Sequence, residues 1–433
     1  MKHIPNIGLI FLIFMCTTQV FSQEKSLKEQ ALEKFEAENY NDAISLLEQA
    51  LNYSPNDAEI YYYLGWFNHY RAYDSRPLKG YDYRSSERIF EYLNKAIELN
   101  PNYGDAKYFY GAECSGNAFN AMQNYDSKKI KYFYELAYKK GAYPDWLIEF
   151  GENFLSSCEQ NAILFTAGNA DFDVCTYLQM CSNYRKDITL IPIGNIDRPW
   201  YVSFLKKGLK NSVRSIEIKL SENQILDIHP FKWKKTDVLI DVSQQDKQEF
   251  NLSTNYQMQW TVLPDLQSER MSSKIESEIA SKRAYLSPRQ AILLQIVEDN
   301  FSNRPIYFSN FAEVSLYGGL NEYFQNCGLV SKLTPIKTKN TDYEFDRLRV
   351  EKLLTLNNFN RYKGIKVNNI PRISRIVLFG YANAILNLAD IYNKSNNKNE
   401  LDKLIKMYSE KFKIDFNSAY EQSVMGELKN LLP

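Results

Sequence analysis

Histidine, ordered cysteine and an excess of charge of either sign are what this chain lacks. Only 3 histidines occur in 433 residues, and His3 lies in the leader described below, leaving His69 and His229. A histidine-based triad or a mixed Cys/His zinc site therefore has very little material. The 6 cysteines include no CxxC pair, and the five beyond the leader, Cys114, Cys158, Cys175, Cys181 and Cys327, are an odd number at scattered spacing. That excludes a dense disulfide framework and leaves room for one bridge. Cys175 and Cys181 fall on roughly opposite sides of one expected helix, which disfavours a bond between them. Lys plus Arg and Asp plus Glu balance at 52 each, so the chain has no basic footprint for nucleic acid. Neither GxGxxG nor GxxxxGK occurs to cradle phosphates.

What is present is an ordinary globular composition, 44% hydrophobic and 24% charged, with 32 Tyr and 25 Phe. The length suits several domains, each able to bury a core of its own. Lys2 and His3, the apolar run Ile7 to Met15 and Val20-Phe21-Ser22 before Gln23 read as a secretory signal over residues 1–22. The apolar run is about half of the roughly 20 residues needed to cross a bilayer. Export to the periplasm or envelope is the expectation. Cys16 raises lipidation as an alternative, against which Phe14 and Met15 are bulky where a lipobox wants small residues.

Residues 23–158 read as tetratricopeptide-like helical repeats. LLEQALNYSPN and YLNKAIELNPN are near copies: Ala43, Leu47, Ala50 and Pro55 mark one unit, and Tyr61, Leu64, Gly65, Ala96 and Pro101 the next, lengthened by an insertion around Arg71 to Ser86. Small residues of this kind let helices cross closely. Tyr61, Tyr62, Trp66 and Tyr108 are candidate anchors for a protein or peptide partner, because aromatics dominate binding hot spots; the alternative is packing between the repeat helices.

Residues 159–342 change to short apolar runs alternating with amphipathic helices. Expected strands are Ile163 to Ala167, Ile188 to Ile193, Val238 to Val242, Gln259 to Val262, Ile306 to Ser309 and Lys332 to Ile336. The spacing suits βαβ units in a mostly parallel sheet, with a less regular insertion between about 208 and 285. Residues 343–433 return to helical hairpins. Arg375, Asn383, Asn387 and Asp390 interrupt their longest apolar run at helical spacing, the mark of an amphipathic helix rather than a membrane span. The expected fold is thus α plus α/β and multidomain, not membrane-spanning once the signal is removed.

The first two expected strands each stop at a polar turn. Asn169, Asp171 and Asp173 follow one, Asn195 and Asp197 the other. In adjacent parallel strands these groups share a rim where ligands collect, and they could bind a sugar or a cation, or simply cap helices. Arg198, Trp200 and Tyr201 could add a stacking platform at that rim, or belong to the core. Cys175 near a helix start reads as a buried structural thiol, there being no histidine beside it. No catalytic residue, metal set or cofactor is assigned.

The segments Ile163 to Leu205 and Leu286 to Ile336 resemble the soluble C-terminal region of bacterial envelope proteins of the protein O-mannosyltransferase-like family. The resemblance is carried by Gly168, Asn169, Ala170, Asp171 and Phe172 after the first strand, by Arg185-Lys186-Asp187-Ile188, by Trp200-Tyr201, by Arg304 to Phe308, and by Gly328, Leu329, Pro335 and Ile336. Asn169 and Ala170 stand where the family has Asp and Asn. The family's multi-spanning part, where a catalytic acid is expected, has no counterpart in these residues. The resemblance therefore implies a shared soluble module rather than shared catalysis. The expectation is an exported envelope scaffold binding a protein partner, with an accessory α/β module for a ligand such as an envelope glycan; the alternative is an enzyme of envelope glycan or glycoprotein metabolism using the acidic rim.

Overall fold

A computed structural model describes residues 27–73, 83–234, 236–264, 285–312, 317–338, 346–356, 361–362, 370–371 and 374–411. The expected signal, residues 1–22 with Cys16, lies outside them, as do the centre of the Arg71 to Ser86 insertion and the start of the 343–433 region. The chain divides into two compact units, residues 1–117 with 136–142, and residues 118–135 with 143–433. Among the described residues no helix is long and apolar enough to cross a membrane.

The first unit is helical: α1 (27–36), α2 (Tyr40–Leu51), α3 (Ala58–Tyr73), α4 (Ser86–Leu99) and the start of α5 (Gly104–Gln123). Asn39 caps α2 by accepting the Asp42 amide, and Asp57 caps α3 by accepting the amides of Glu59 and Ile60. Ala43, Ile44, Leu47 and Ala50 form the buried stripe of α2, and Ser86, Ile89, Leu93 and Ala96 that of α4. Three- and four-residue spacing puts each set on one helix face. Gly65 lets α3 and α4 meet closely, since a Cβ there would lie 2.5 Å from the Leu93 side chain. The Phe35 ring stacks on Phe67 at 4.0 Å, and Tyr62 packs among Trp66, Tyr103 and Phe109. The Glu113 side chain is fully enclosed: it meets His69 Nδ1 at 2.8 Å and accepts from Asn117 Nδ2 at 3.2 Å and from the Ser86 hydroxyl.

The second unit is built on a five-stranded sheet of order β2-β1-β7-β9-β8. Its strands are β1 (Ile163–Thr166), β2 (Thr189–Pro192), β7 (Ile306–Ser309), β8 (Phe324–Asn326) and β9 (Val330–Leu333). Two ribbons, β3 (Phe231–Lys232) with β6 (Tyr285–Leu286) and β4 (Asp237–Asp241) with β5 (Gln257–Thr261), fill the insertion. Every residue of β1, β2, β7 and β9 is buried, which is why these strands read as short apolar runs without alternation. β1 pairs in parallel with β2 from Ile163 opposite Thr189, and with β7 from Ile163 opposite Ile306.

The other two pairings are antiparallel, so the sheet is mixed rather than mostly parallel. The reason is connection length. Only Cys327, Gly328 and Leu329 join β8 to β9, and Gly328 turns the hairpin at φ +98°; a parallel return needs a crossover of a dozen or more residues. Such a crossover exists between β1 and β2, where α8 (Asn169–Ser182) bridges them, and α12 (Pro288–Asn300) leads into β7. Ser287 and Gln290 form a capping box at the start of α12, with Pro288 in its first turn. Flanking helices are α7 (Asp145–Ser156), α9 (Pro199–Lys207), α13 (Arg347–Leu356), α14 (Arg375–Lys394) and α15 (Lys398–Lys411).

The amino edge of the parallel strands is closed by two arginines. Arg304 is 8% exposed and donates to Asn161 O at 2.8 Å, Ala162 O at 3.0 Å, Thr189 Oγ1 at 2.9 Å and Ser215 O at 3.2 Å. Burial lowers its pKa to about 10, so it remains cationic at neutral pH. Arg185 donates to the carbonyls of Leu155, Cys158 and Glu159 and to both Asp187 oxygens, tying the end of α7 to the start of β2. Lys332, carried on β9 and 3% exposed, is balanced by Glu159 at 3.2 Å, Glu249 at 3.7 Å and Asp246 at 3.8 Å. Burial would raise the Glu159 pKa, but Lys332 and Arg349 outweigh it and hold the carboxyl below its ordinary value.

Candidate functional site

The chain leaves β1 for β2 on one side, while β7 lies on the other. That makes the carboxyl ends of β1 and β7 a topological switch point, the place where open α/β sheets form a ligand crevice. Asp171 stands there. It is 1% exposed, and its two carboxylate oxygens accept the amides of Ala167 and Gly168, each at 2.9 Å. The Ser309 hydroxyl, at the end of β7, donates to the same carboxylate. Burial raises the Asp171 pKa, opposed by these three hydrogen bonds. Asp171 is thus an internal brace that closes the first turn of α8 and fixes Ser309.

The other rim residues lie where two adjacent parallel strands end, and they meet different neighbours. Asn169 opens α8, with its side chain outside the described set. Asp173 is buried on α8 at 3% exposure. Asn195 is buried in a single 3-10 turn after β2, its carbonyl accepting the Arg198 amide at 3.1 Å. Asp197 is part-exposed and pairs with Arg289 of α12 at 3.0 Å. Asp171 and Asp197 are therefore engaged on separate elements. Arg198 and Trp200 are half-buried, whereas Tyr201 is 2% exposed. Phe119 lies against Phe172 at 5.5 Å, Tyr201 at 6.0 Å and Trp200 at 6.5 Å, so this aromatic group packs on itself. Cys175 is fully buried, and burial pushes its thiol well up, which disfavours the reactive thiolate. In the first unit, Tyr62 and Tyr108 are buried, while Tyr61 and Trp66 keep partial exposure.

Beside Ser309 the carboxyl edge opens into a cavity of about 600 Å³, lined by none of the candidate site residues taken from the sequence. The loop after β7, the ends of β8 and β9 and one face of α14 form its walls. Asn310 Nδ2 donates to Gly328 O at 2.7 Å, its Oδ1 accepts from the Ser331 hydroxyl at 2.6 Å, and Asn326 Oδ1 accepts the Gly328 amide at 2.8 Å. Tyr317 donates to Ser309 O at 2.8 Å and stands edge-on to Phe324. Across from these groups, Asn383 and Asn387 project from α14, where residues four apart share a face. Gly380 lets the Phe311 ring lie against that helix, because a Cβ there would fall 2.4 Å from the ring. Asn383 and Asn387 were visible in the sequence as polar breaks in an apolar run. Asn310, Asn321 and Asn326 carried no signal beyond that of loop residues.

Among the described residues, no group of three or more His, Cys, Asp or Glu is placed to hold a metal ion. The profile of one family, TMEM260-associated domain 2, matches residues 147–266 and 247–352. The two matches together span just under half of the chain and contain all five strands of the main sheet. The similarity is thus to the sheet-bearing unit, including the β7, β8 and β9 walls of the cavity. No curated protein matches the chain.

Proposed function

We propose that the protein is an exported envelope scaffold, in which tetratricopeptide-type repeats engage a protein partner and the α/β unit is a binding module for a small ligand. The observation that carries the ligand-binding part is the open, amide-lined cavity at the carboxyl edge of the sheet, beside a switch point braced by Asp171 and Ser309. Concave sites with a few fixed polar groups at such edges are the usual places for ligands in α/β folds. Export rests on the leader pattern of residues 1–22, and the repeat reading on the two near-copied segments and the close α3/α4 crossing at Gly65. The resemblance to the soluble region of protein O-mannosyltransferase-like envelope proteins falls on the segments that the matched family covers, and it favours a module placed beside a membrane enzyme.

The acidic rim argues for binding over turnover. Asp171 is spent on two amides and a hydroxyl, and Asp197 on Arg289. An acid/base pair needs carboxyl groups facing a shared reacting centre. Expression of the full chain in a cell with an envelope tests the reading. The expected product starts at Gln23 by intact mass, fractionates with the envelope, and captures a partner that Tyr61→Ala with Trp66→Ala loses. A product retaining residues 1–22 in the cytosol would remove the export claim.

A further inference from the structure

The geometry points to a neutral carbohydrate as the ligand of the cavity beside Ser309, an inference that rests on the α/β unit being a ligand-binding module. Among the described residues, none of those lining the cavity is charged. An ionic ligand entering it would give up hydration without a counter-charge in the wall, and that cost is several times the gain from neutral hydrogen bonds. What the wall offers instead is amides: Asn310, Asn321, Asn326, Asn383 and Asn387. A side-chain amide presents a donor and an acceptor side by side in one plane, which suits neighbouring hydroxyls on a sugar ring, each of which is itself donor and acceptor.

The amides fall into two groups. Asn310 and Asn326 are held rigidly by Gly328 and Ser331, at 2.6 to 2.8 Å. Among the described residues, the side-chain amides of Asn321 and Asn387 make no hydrogen bond to the protein, so they are available to a ligand. Phe311 and Leu386 add apolar surface in the same wall, suited to the C–H face of a pyranose. The volume of about 600 Å³ lies within the range of small-molecule sites. An extended peptide is the weaker fit. It would be recognised through strand-edge amides and carbonyls, whereas this cavity lies at strand ends, where Asn310 N is already bonded to Leu329 O at 3.2 Å.

The test uses the mature full chain against three immobilised panels: neutral oligosaccharides, acidic oligosaccharides and short peptides. Binding confined to neutral sugars is expected. Asn387→Ala and Asn321→Ala should each weaken it about five- to tenfold, the loss of one hydrogen bond, with thermal unfolding unchanged. Neutral sugars that bind both variants as well as the parent chain would overturn the site. Acidic sugars or peptides that bind in an Asn387-dependent manner would overturn the ligand class and leave the binding module standing. No binding from any panel would remove both.

Discussion

The two edges of the five-stranded sheet have been put to opposite uses. At the amino edge two guanidiniums, buried Arg304 and half-buried Arg185, are fully engaged, and Arg304 alone donates to four acceptors. At the carboxyl edge, beside the braced Asp171, the cavity is lined by neutral amides around open space, and two of them are unspent. Much of what made the chain resemble a family, Arg185, Asp187 and Arg304, belongs to the closed edge. A recognisable motif can therefore mark how strands are stapled together, while the surface available to a ligand lies at the other end of the same strands and, Gly328 apart, is written in residues outside those motifs.

Substitutions can break this comparison, and the largest effect is expected at Arg304. Arg304→Met would remove four hydrogen bonds from a cation and leave the Asn161 carbonyl without a donor, while Ala162 O keeps the Thr189 amide, at a cost of about 3–5 kcal/mol in urea unfolding. A loss under about 1 kcal/mol would mean that the amino edge is not the structural one. Asp171→Asn comes next, at about 1–2 kcal/mol, because an amide offers one acceptor where two backbone N–H groups need partners. Its pH dependence has a definite sign. The folded-state pKa is raised by burial, so the contribution of Asp171 is fully present below the ordinary carboxylate pKa and declines as pH rises through the raised folded value. The deficit of Asp171→Asn should thus be larger at about pH 4 than at about pH 8.

Asp187, at the opposite edge, should behave in reverse. Arg185 holds its pKa below the ordinary value, chiefly through their hydrogen bonds and against the opposing effect of burial. Its contribution is present above the unfolded value and lost as pH falls through the lowered folded one, so Asp187→Asn should cost more at about pH 7 than at about pH 3. Urea titrations of both variants across this range would show two curves of opposite slope; equal slopes would erase the distinction. The smallest effect belongs to the cavity. Asn387→Ala should change stability by less than about 0.5 kcal/mol, as expected for an exposed side chain with no partner, and a larger loss would move it from the ligand surface to the scaffold.

The strands were legible because burial on both faces writes itself as a run: ILFT, TLIP and IYFS declare themselves without any neighbour. The mixed direction of the sheet was less so. The parallel half followed from helical crossovers, whereas the antiparallel half depends on a three-residue hairpin at Gly328 that looks like any loop glycine. Asp171 was legible as a polar group at a helix start, but its bond to Ser309, well over a hundred residues away, was not. The cavity was the least visible, since its walls come from residues 309–331 and 376–387, stretches that look like a loop and the solvent face of a helix.

The sequence by itself determined β1, β2, β4, β5 and β7 and where the polar turns after β1 and β2 fall, because local periodicity and capping act over a few residues; β3, β6 and β8 carried no such signal, and β9 begins two residues earlier than expected. Only the tertiary structure decided which of those polar groups are spent and which are left over. Hydrogen bonds are claimed between segments far apart in the chain, and Asp171 loses its freedom to Ser309 while Asn387, equally polar, keeps its own.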